Sequence, residues 1–488
     1  MSLRHVVPAL ALTLAGGLAV AVPTGSAAAA DVPGPVDGPR TAGDSLFPHV
    51  GNGGYDVRRY DLDLRWTPAK DLARSTLDAR ARITADATGA PLRSFSLDFE
   101  RGGMRVSSVT VDGEPARFTT QDDAERIRHK LVVRPATPVD GRFTTTVTYA
   151  GVPTRHVDED GSAEGWNVTD DGATFLNQPI GSMTGFPNNN TPADKATYTI
   201  DVDVPRGLEA ASNGVLTDRK RHGDRTWWRW VQRRPMASEL AMISIGQYDV
   251  TTSRVDLGGD RSVREWSFVD PQVTGDARRA TERQLGRWEE VLGGLEEVFG
   301  RYPGVSTGAV VDVVPKDVNY ALETQDRSFF PSSIDGNTFV HEATHQWWGD
   351  SVSPPDWGQD LYVNEGMATW APTYLAGRDT EQTWFDAWDR VPSGDARWTI
   401  PPGAVADSAD LFGYQAYNRG AQFWEALRLA IGDEDFFTLL RTWQDTYRGG
   451  SHGTADLRSL AEDVSGEDLD AFFADWVLDA DKPAWPTS

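Results

Sequence analysis

Two histidines four residues apart, His341 and His345, flank Glu342 in the run His341-Glu342-Ala343-Thr344-His345. On a helix that spacing stacks both rings on one face, where they can ligate a single ion. Catalytic zinc takes three protein ligands and leaves a position for water, whose pKa falls to about 7 on binding, and a neighbouring carboxylate can accept the proton. Glu342 is placed to be that base. The expected third ligand is Glu365, twenty positions after His345, where Val363 to Met367 open a second helical stretch. Pro354, Pro355 and Gly358 are expected to form the loop that stops the first helix and returns the chain antiparallel, bringing Glu365 against the histidines. Taken singly, the histidines read as exposed helix residues and Glu365 as a first-turn acid favoured by the helix dipole. Taken together, the three favour a metal centre with one Zn2+ per chain.

The run His341 to Asp350, HEATHQWWGD, followed by NEGMA at 364–368, resembles the gluzincin aminopeptidases typified by aminopeptidase N and leukotriene hydrolase. The resemblance extends over nearly the whole chain after its first thirty residues. In that family a GAMEN segment upstream of the zinc helix supplies a glutamate that binds the substrate's free α-amine. Here the matching stretch is Tyr320-Ala321-Leu322-Glu323-Thr324, which keeps only the Ala and the Glu. The resemblance therefore implies substrate-binding roles for Glu323 and Ala321. A carboxylate near the zinc pairs with an N-terminal ammonium and so selects the first peptide bond. Residues 178–195, QPIGSMTGFPNNNTPADK, resemble the family segment that sends a loop from the β-domain into the cleft, with Gln178 as the residue that helps hold the amine. Ala416-Tyr417-Asn418-Arg419-Gly420 resembles the family's tyrosine motif. Tyr417 is then the donor to the oxyanion of the tetrahedral intermediate, a contribution commonly of about 3 kcal/mol to the barrier. Tyr414, three residues earlier, is its competitor.

Two departures from the family pattern accompany these matches: the degraded GAMEN equivalent, and one extra residue between His345 and Glu365. The extra residue falls in the Pro and Gly loop, where an insertion leaves each ligand on its own helix. Leu469 to Val477 resemble the end of the family's catalytic domain, so the helical-repeat domain of larger members is expected to be absent and the cleft more open.

Around these residues the hydrophobic pattern changes period once. Tyr60, Leu62, Leu64 and Trp66 alternate with polar residues, as do Phe143, Thr145, Val147 and Tyr149, and Tyr198, Ile200, Val202 and Val204. Such alternation marks half-buried strands. From about residue 271 the steps become three and four: Leu285, Trp288, Leu292, Leu295 and Phe299 form one expected helical stripe. Later stripes join Phe423, Leu427 and Ile431, and Phe472, Phe473 and Trp476. Short apolar runs at 309–314 and 322–330 are expected strands. The resulting fold class is multidomain: residues 31–50 a flexible leader, 51–255 a β-rich saddle or sandwich domain, and 256–488 a mainly helical, thermolysin-like (α+β) catalytic domain.

At 488 residues the chain exceeds the size of a single hydrophobic core, which agrees with that division. Arg4 and His5 precede an apolar run from Val6 to Val22, and Ala27 to Ala30 follow, so residues 1–30 read as a secretory signal peptide cleaved near Ala30. A secreted, extracellular protein with no membrane span after cleavage is expected. The chain has no Cys, so disulfides and thiolate metal sites are excluded and any metal must sit on His and carboxylate. A formal charge of −25 argues against nucleic acid as a partner, because phosphate contacts need clustered Lys and Arg. Expected partners are peptides with a free N-terminus. The rival readings are an endopeptidase with the same zinc chemistry, if Glu323 and Gln178 miss the amine, and a secreted binding protein with a vestigial cleft.

Overall fold

The computed structural model describes residues 34–122 and 128–486. The expected signal segment lies outside them. A β-rich N-terminal half is followed by a helical C-terminal half, as the period change implies. The N-terminal half is organised on an eight-stranded sheet. At its centre, strands Tyr55–Thr67 and Ala196–Pro205 run parallel, with Leu62 opposite Ile200 and Leu64 opposite Val202. Thr76–Ala87 and Arg142–Val152 extend the sheet antiparallel on one side, and Arg225–Met236 on the other. The alternating residues all point into one core: Tyr60, Leu62, Leu64, Trp66, Phe143, Val147, Tyr149, Tyr198, Ile200, Val202 and Val204 are buried there. Two smaller sheets cover that core. One of them, of five strands including Ala163–Val168 and Ala173–Leu176, leads directly into the Gln178 segment.

A fourth sheet, of five strands, opens the helical half. Asp249–Asp256 pairs antiparallel with Ser262–Val269, and Ala309–Asp312 and Ser328–Pro331 add in parallel. Arg327, fully buried, joins this sheet to the β-rich half. Its Nε donates to the Trp266 carbonyl at 2.8 Å, Nη1 to that of Ser212, and Nη2 to that of Gly214 at 3.3 Å. A buried guanidinium is tolerable because carbonyls across the junction take up its donors.

Several local expectations are corrected. The stripe from Leu285 to Phe299 is two helices, Gly275–Leu285 and Trp288–Phe299, because the first ends at Gly286 before Trp288 begins the second. The run 322–330 yields strand only at Ser328–Pro331, with Leu322 reaching Phe329 through an isolated bridge. Residues 34–50, expected as a flexible leader, are packed against the fold. Val36–Asp37 pairs with Leu92 and Ser94, and Phe47 and Val50 are buried. Asp44 accepts from the Trp357 backbone at 2.8 Å, and the Ser45 backbone donates to Asp356 at 2.8 Å. The Pro and Gly content suggested freedom, but these polar groups tie the segment to a helix start more than 300 residues away. Among the described residues, no helix is long and apolar enough to cross a membrane.

Candidate active site

The helix Gly336–His345 carries both histidines and starts at Asp335, whose carboxylate accepts from the Asn337 and Thr338 backbones at 3.0 and 3.1 Å. That cap fills donors the first turn leaves open. The helix ends at His345, before Pro354 and Pro355. The next helix, Trp357–Leu375, begins six residues ahead of Val363, so Gly358 belongs to its first turn and not to the loop. Glu365 therefore lies in the middle of a buried helix, where the first-turn explanation for an acid does not apply.

The Nε2 atoms of His341 and His345 are 3.0 Å apart, and Glu365 Oε2 lies 3.3 Å from each. His345 Nδ1 is 2.8 Å from the Trp348 carbonyl; a proton on Nδ1 leaves the Nε2 lone pair facing the cluster. Glu365 Oε2 is buried without a hydrogen bond among the described residues. Burial alone would raise Glu365, but the two histidines outweigh it and bring its pKa down to about 2. Burial would lower His345, and the Glu323 and Glu365 carboxylates instead raise it well above the usual range. One possible ligand atom from each of the two imidazoles and the carboxylate lies within 4.8 Å of the others. An N2O donor set of that kind fits a zinc ion, with the fixed Nδ1 contact orienting one ring from behind.

Close contact between helices brings the remaining groups in. Gly366, next to Glu365, meets Gly420 backbone to backbone: a Cβ on Gly366 would lie 2.5 Å from the Gly420 carbonyl carbon, and one on Gly420 2.8 Å from the Gly366 Cα. Only two glycines allow that approach. Tyr417 sits on the turn Gln415–Arg419 just before that contact. Arg419 anchors the turn by donating to the carbonyls of Trp476, Trp398, Asp475 and Asp479 at 2.8 to 3.2 Å. The Tyr417 ring centre is 6.2 Å from that of His341. Burial, then the Glu365, Glu323 and Glu342 carboxylates, raise its pKa well above the usual value, so the phenol remains a proton donor. Tyr414 faces elsewhere: it packs edge-on against Trp398, and Gln422 Nε2 donates to its hydroxyl at 3.0 Å.

Glu342 is buried, with Oε2 free of hydrogen bonds among the described residues. Burial raises its pKa well above the carboxylate range; His345 opposes this, and Glu323 and Glu365 add to it. Glu323 is also buried, and its Oε1 accepts from Gln178 Nε2 at 2.6 Å. The two are 145 positions apart in sequence and come from opposite halves. Gln346, next to His345, donates to the Glu323 carbonyl at 3.3 Å. One cavity of about 460 Å³ is lined by all eight residues singled out from sequence: Gln178, Ala321, Glu323, His341, Glu342, His345, Glu365 and Tyr417.

The same cavity has walls that sequence reasoning missed: Thr369 and Thr373 on the glutamate helix, Arg378 just past it, and Trp384 on the next helix. Thr369 and Thr373 follow Glu365 by four and eight residues, a helical-face signal that was available. Arg378 and Trp384 gave none. Lys195, at the end of the Gln178 segment, was also missed; its Nζ donates to the carbonyls of Asp350, Ser351 and Gly450 at 2.7, 3.0 and 3.2 Å and pins the loop after the histidine helix.

Residues 332–476 match the Peptidase family M1 domain. Over 449 residues the chain is 24% identical to aminopeptidase M1-D of Oryza sativa subsp. japonica, covering 86% of this chain and 49% of that protein. It is 23% identical over 321 residues to aminopeptidase N of Streptomyces lividans, covering 60% and 36%. The chain thus spans about half the length, or less, of these curated relatives. An M1 zinc metallopeptidase from Deinococcus radiodurans superposes with a TM-score of 0.79 at 27% identity, covering 92% of this chain and 99% of that one. A further structure of that metallopeptidase is described as bound to a Tyr-Ser-Ala substrate, with the same TM-score.

Proposed function

We propose that this chain, a gluzincin of the aminopeptidase N type, removes N-terminal residues from peptides by zinc-dependent hydrolysis. The observation that carries the reading is the pairing of Glu323 with Gln178 in one cavity with His341, His345 and Glu365. A carboxylate and an amide carbonyl at one end of the cavity make a site for an ammonium, which the N-terminus of a peptide supplies. With the amine held there, the first peptide bond meets the three ligands and Glu342. Ala321 forms the small side chain of the adjoining wall.

Zinc, held by His341, His345 and Glu365, would polarise the scissile carbonyl and lower the pKa of water. Glu342 accepts a proton from the attacking water on its carboxylate and passes it to the departing amine nitrogen. Its burial makes the protonated form accessible for the second transfer. Tyr417 donates its hydroxyl hydrogen to the oxyanion as the carbonyl carbon becomes tetrahedral. Tyr414 takes no part, since its hydroxyl is engaged by Gln422.

We take residues 256–488 as the unit that holds the catalytic groups and 51–255 as the unit that lends Gln178. We also place the protein outside the cytosol, on the charged start, apolar run and alanine tract of residues 1–30. Sequencing the N-terminus of protein recovered from culture medium tests this; a start near Asp31 is expected.

The function itself is tested with a panel of aminoacyl reporter substrates and short peptides, free and N-acetylated, with and without a chelator. Hydrolysis of the free forms that stops on chelation is expected. Comparable cleavage of acetylated peptides at internal bonds would overturn the aminopeptidase reading and leave a zinc hydrolase.

A further inference from the structure

The β-rich half carries a second group of donor atoms that the mechanism does not use. Strands Arg155–Val157 and Ala163–Val168 pair antiparallel, with His156 directly opposite Glu164. Asp158 follows His156 by two positions, so strand alternation returns it to the same face. A possible ligand atom from each of His156, Asp158 and Glu164 lies within 4.8 Å of the others. His156 and Glu164 are buried, and the Asp158 side chain is 12% exposed. The turn beside it, Glu159 to Gly161, is open to solvent and gives an ion a way in.

Two features repeat those of the catalytic cluster. His156 Nδ1 is 2.7 Å from Glu100 Oε2, and a proton held there leaves the Nε2 lone pair free, 3.6 Å from Asp158 Oδ1, as the Trp348 carbonyl does for His345. Asp158 Oδ2 is buried without a hydrogen bond among the described residues, as is Glu365 Oε2. Charge points the same way. Glu100, Asp158 and Glu164 are three carboxylates around one guanidinium, Arg128, whose Nη2 is 3.3 Å from His156 Nε2. Burial raises the Asp158 pKa to about 6, and burial followed by the Asp158 charge raises Glu164 well above its usual range. The two carboxyls therefore hold a proton unless another cation takes its place.

From this geometry we infer that His156, Asp158 and Glu164 bind a divalent transition-metal ion of the Zn2+ class, separate from the catalytic one, and that this ion secures the Gln178 segment. One imidazole with two carboxylates suits Zn2+ better than Ca2+ or Mg2+, which take oxygen ligands. With one imidazole instead of two, and with Arg128 to be displaced from Nε2, the ion is held less tightly than the catalytic zinc and leaves on dialysis. The link to Gln178 runs through Glu164, whose two oxygens accept from the Ile180 backbone at 3.2 Å. Ile180 is two residues after Gln178. Tyr320, which lines the catalytic cavity, donates to the carbonyl of Ala163, next to Glu164, at 2.7 Å.

The metal site stands apart from the aminopeptidase reading, and only its consequence for Gln178 rests on that reading. Protein dialysed to one zinc per chain is titrated with Zn2+, and bound metal is counted, in the wild type, His156→Gln, Asp158→Asn, Arg128→Ala and Asp468→Asn. Asp468 belongs to a largely exposed acidic group in the helical half and serves as the control. A second equivalent is expected in the wild type and in Asp468→Asn, at least about tenfold weaker in His156→Gln and Asp158→Asn. Arg128→Ala, which frees Nε2, should bind it more tightly, a gain that a merely damaged fold would not produce. Hydrogen exchange at residues 180–182 should slow as the second ion binds. No second equivalent in the wild type, or one bound equally by the wild type, Asp158→Asn and Arg128→Ala, overturns the site and leaves a shared proton between the two carboxyls. Unchanged exchange at 180–182 with the second ion bound overturns the link to Gln178. Failure of the one-zinc protein to release N-terminal residues would overturn the aminopeptidase reading and leave the metal count untouched.

Discussion

The two ends of the catalytic cavity are built in opposite ways. At the metal end, every group comes from two consecutive helices and the turn that touches the second, so His341, His345, Glu365 and Tyr417 are fixed chiefly by contacts within the helical half. These are the Asp335 cap, the Trp348 carbonyl behind His345, and the glycine contact of Gly366 with Gly420. At the amine end, Glu323 sits outside any helix and meets Gln178 from the other half of the molecule across one hydrogen bond. The metal end is a property of local geometry, and the amine end is a property of how the halves meet. On the proposed function, chemistry that must not drift would rest on the first and selection of which bond is cut on the second.

The sharpest separation comes from Glu342→Gln, which keeps the shape of the metal end and removes its base. Turnover should fall about 1,000-fold or more while zinc content stays near one per chain, read by metal analysis beside the rate. Loss of zinc by a folded Glu342→Gln would make Glu342 a ligand. Glu365→Ala should do the reverse, losing metal first and regaining part of its activity in excess zinc.

Next in size are two variants at opposite ends. Tyr417→Phe should lower kcat and kcat/KM together by about 100-fold with zinc unchanged, whereas Tyr414→Phe should be nearly silent. Glu323→Ala should slow free peptides by about 100-fold and N-acetylated ones much less, closing the gap between them. Loss of activity in Tyr414→Phe with none in Tyr417→Phe would move the oxyanion donor three residues upstream. The glycine contact gives a structural counterpart. Gly366→Ala should cost about 2–4 kcal/mol by forcing the helices apart, visible as a lower denaturation midpoint.

The same contrast explains what was legible in the sequence. His341, Glu342, His345 and Glu365 could be read from spacing alone, because helix periodicity converts four residues into one face and a loop plus half a helix into a return. Alternation in strands such as 55–67 and 196–205 was legible for the same reason. Three things were not. The start of the glutamate helix at Trp357 was hidden because Gly358 reads as a breaker, while the Asp356 cap and the Asp44 contact override it. The break between Leu285 and Trp288 left the apolar stripe intact, because two successive helices present the same core face. Arg378 and Trp384 carry no periodic or motif signal, since their place in the cavity follows from the turn between two helices. Glu323 and Gln178 lie between these cases: the resemblance named them, and only the fold shows them touching.

The smallest expected effect bears most directly on the comparison. Gln178 Nε2 donates to Glu323 Oε1, so the amide orients the carboxylate and leaves its own carbonyl available to an ammonium. Gln178→Ala removes both functions but leaves the charge of Glu323 in place, so the loss must be smaller than in Glu323→Ala. One hydrogen bond to a charged group contributes about 1.5 kcal/mol, which corresponds to roughly tenfold in kcat/KM for free peptides. The part-buried position of Gln178 admits water to the vacated space, which moderates the cost further. Zinc content and the rate with N-acetylated peptides should stay close to wild type, because neither depends on the amine site. A zinc loss in Gln178→Ala would show that the β-rich half also holds the metal end together. The division between a locally built metal end and an amine end made where the halves meet would then fail.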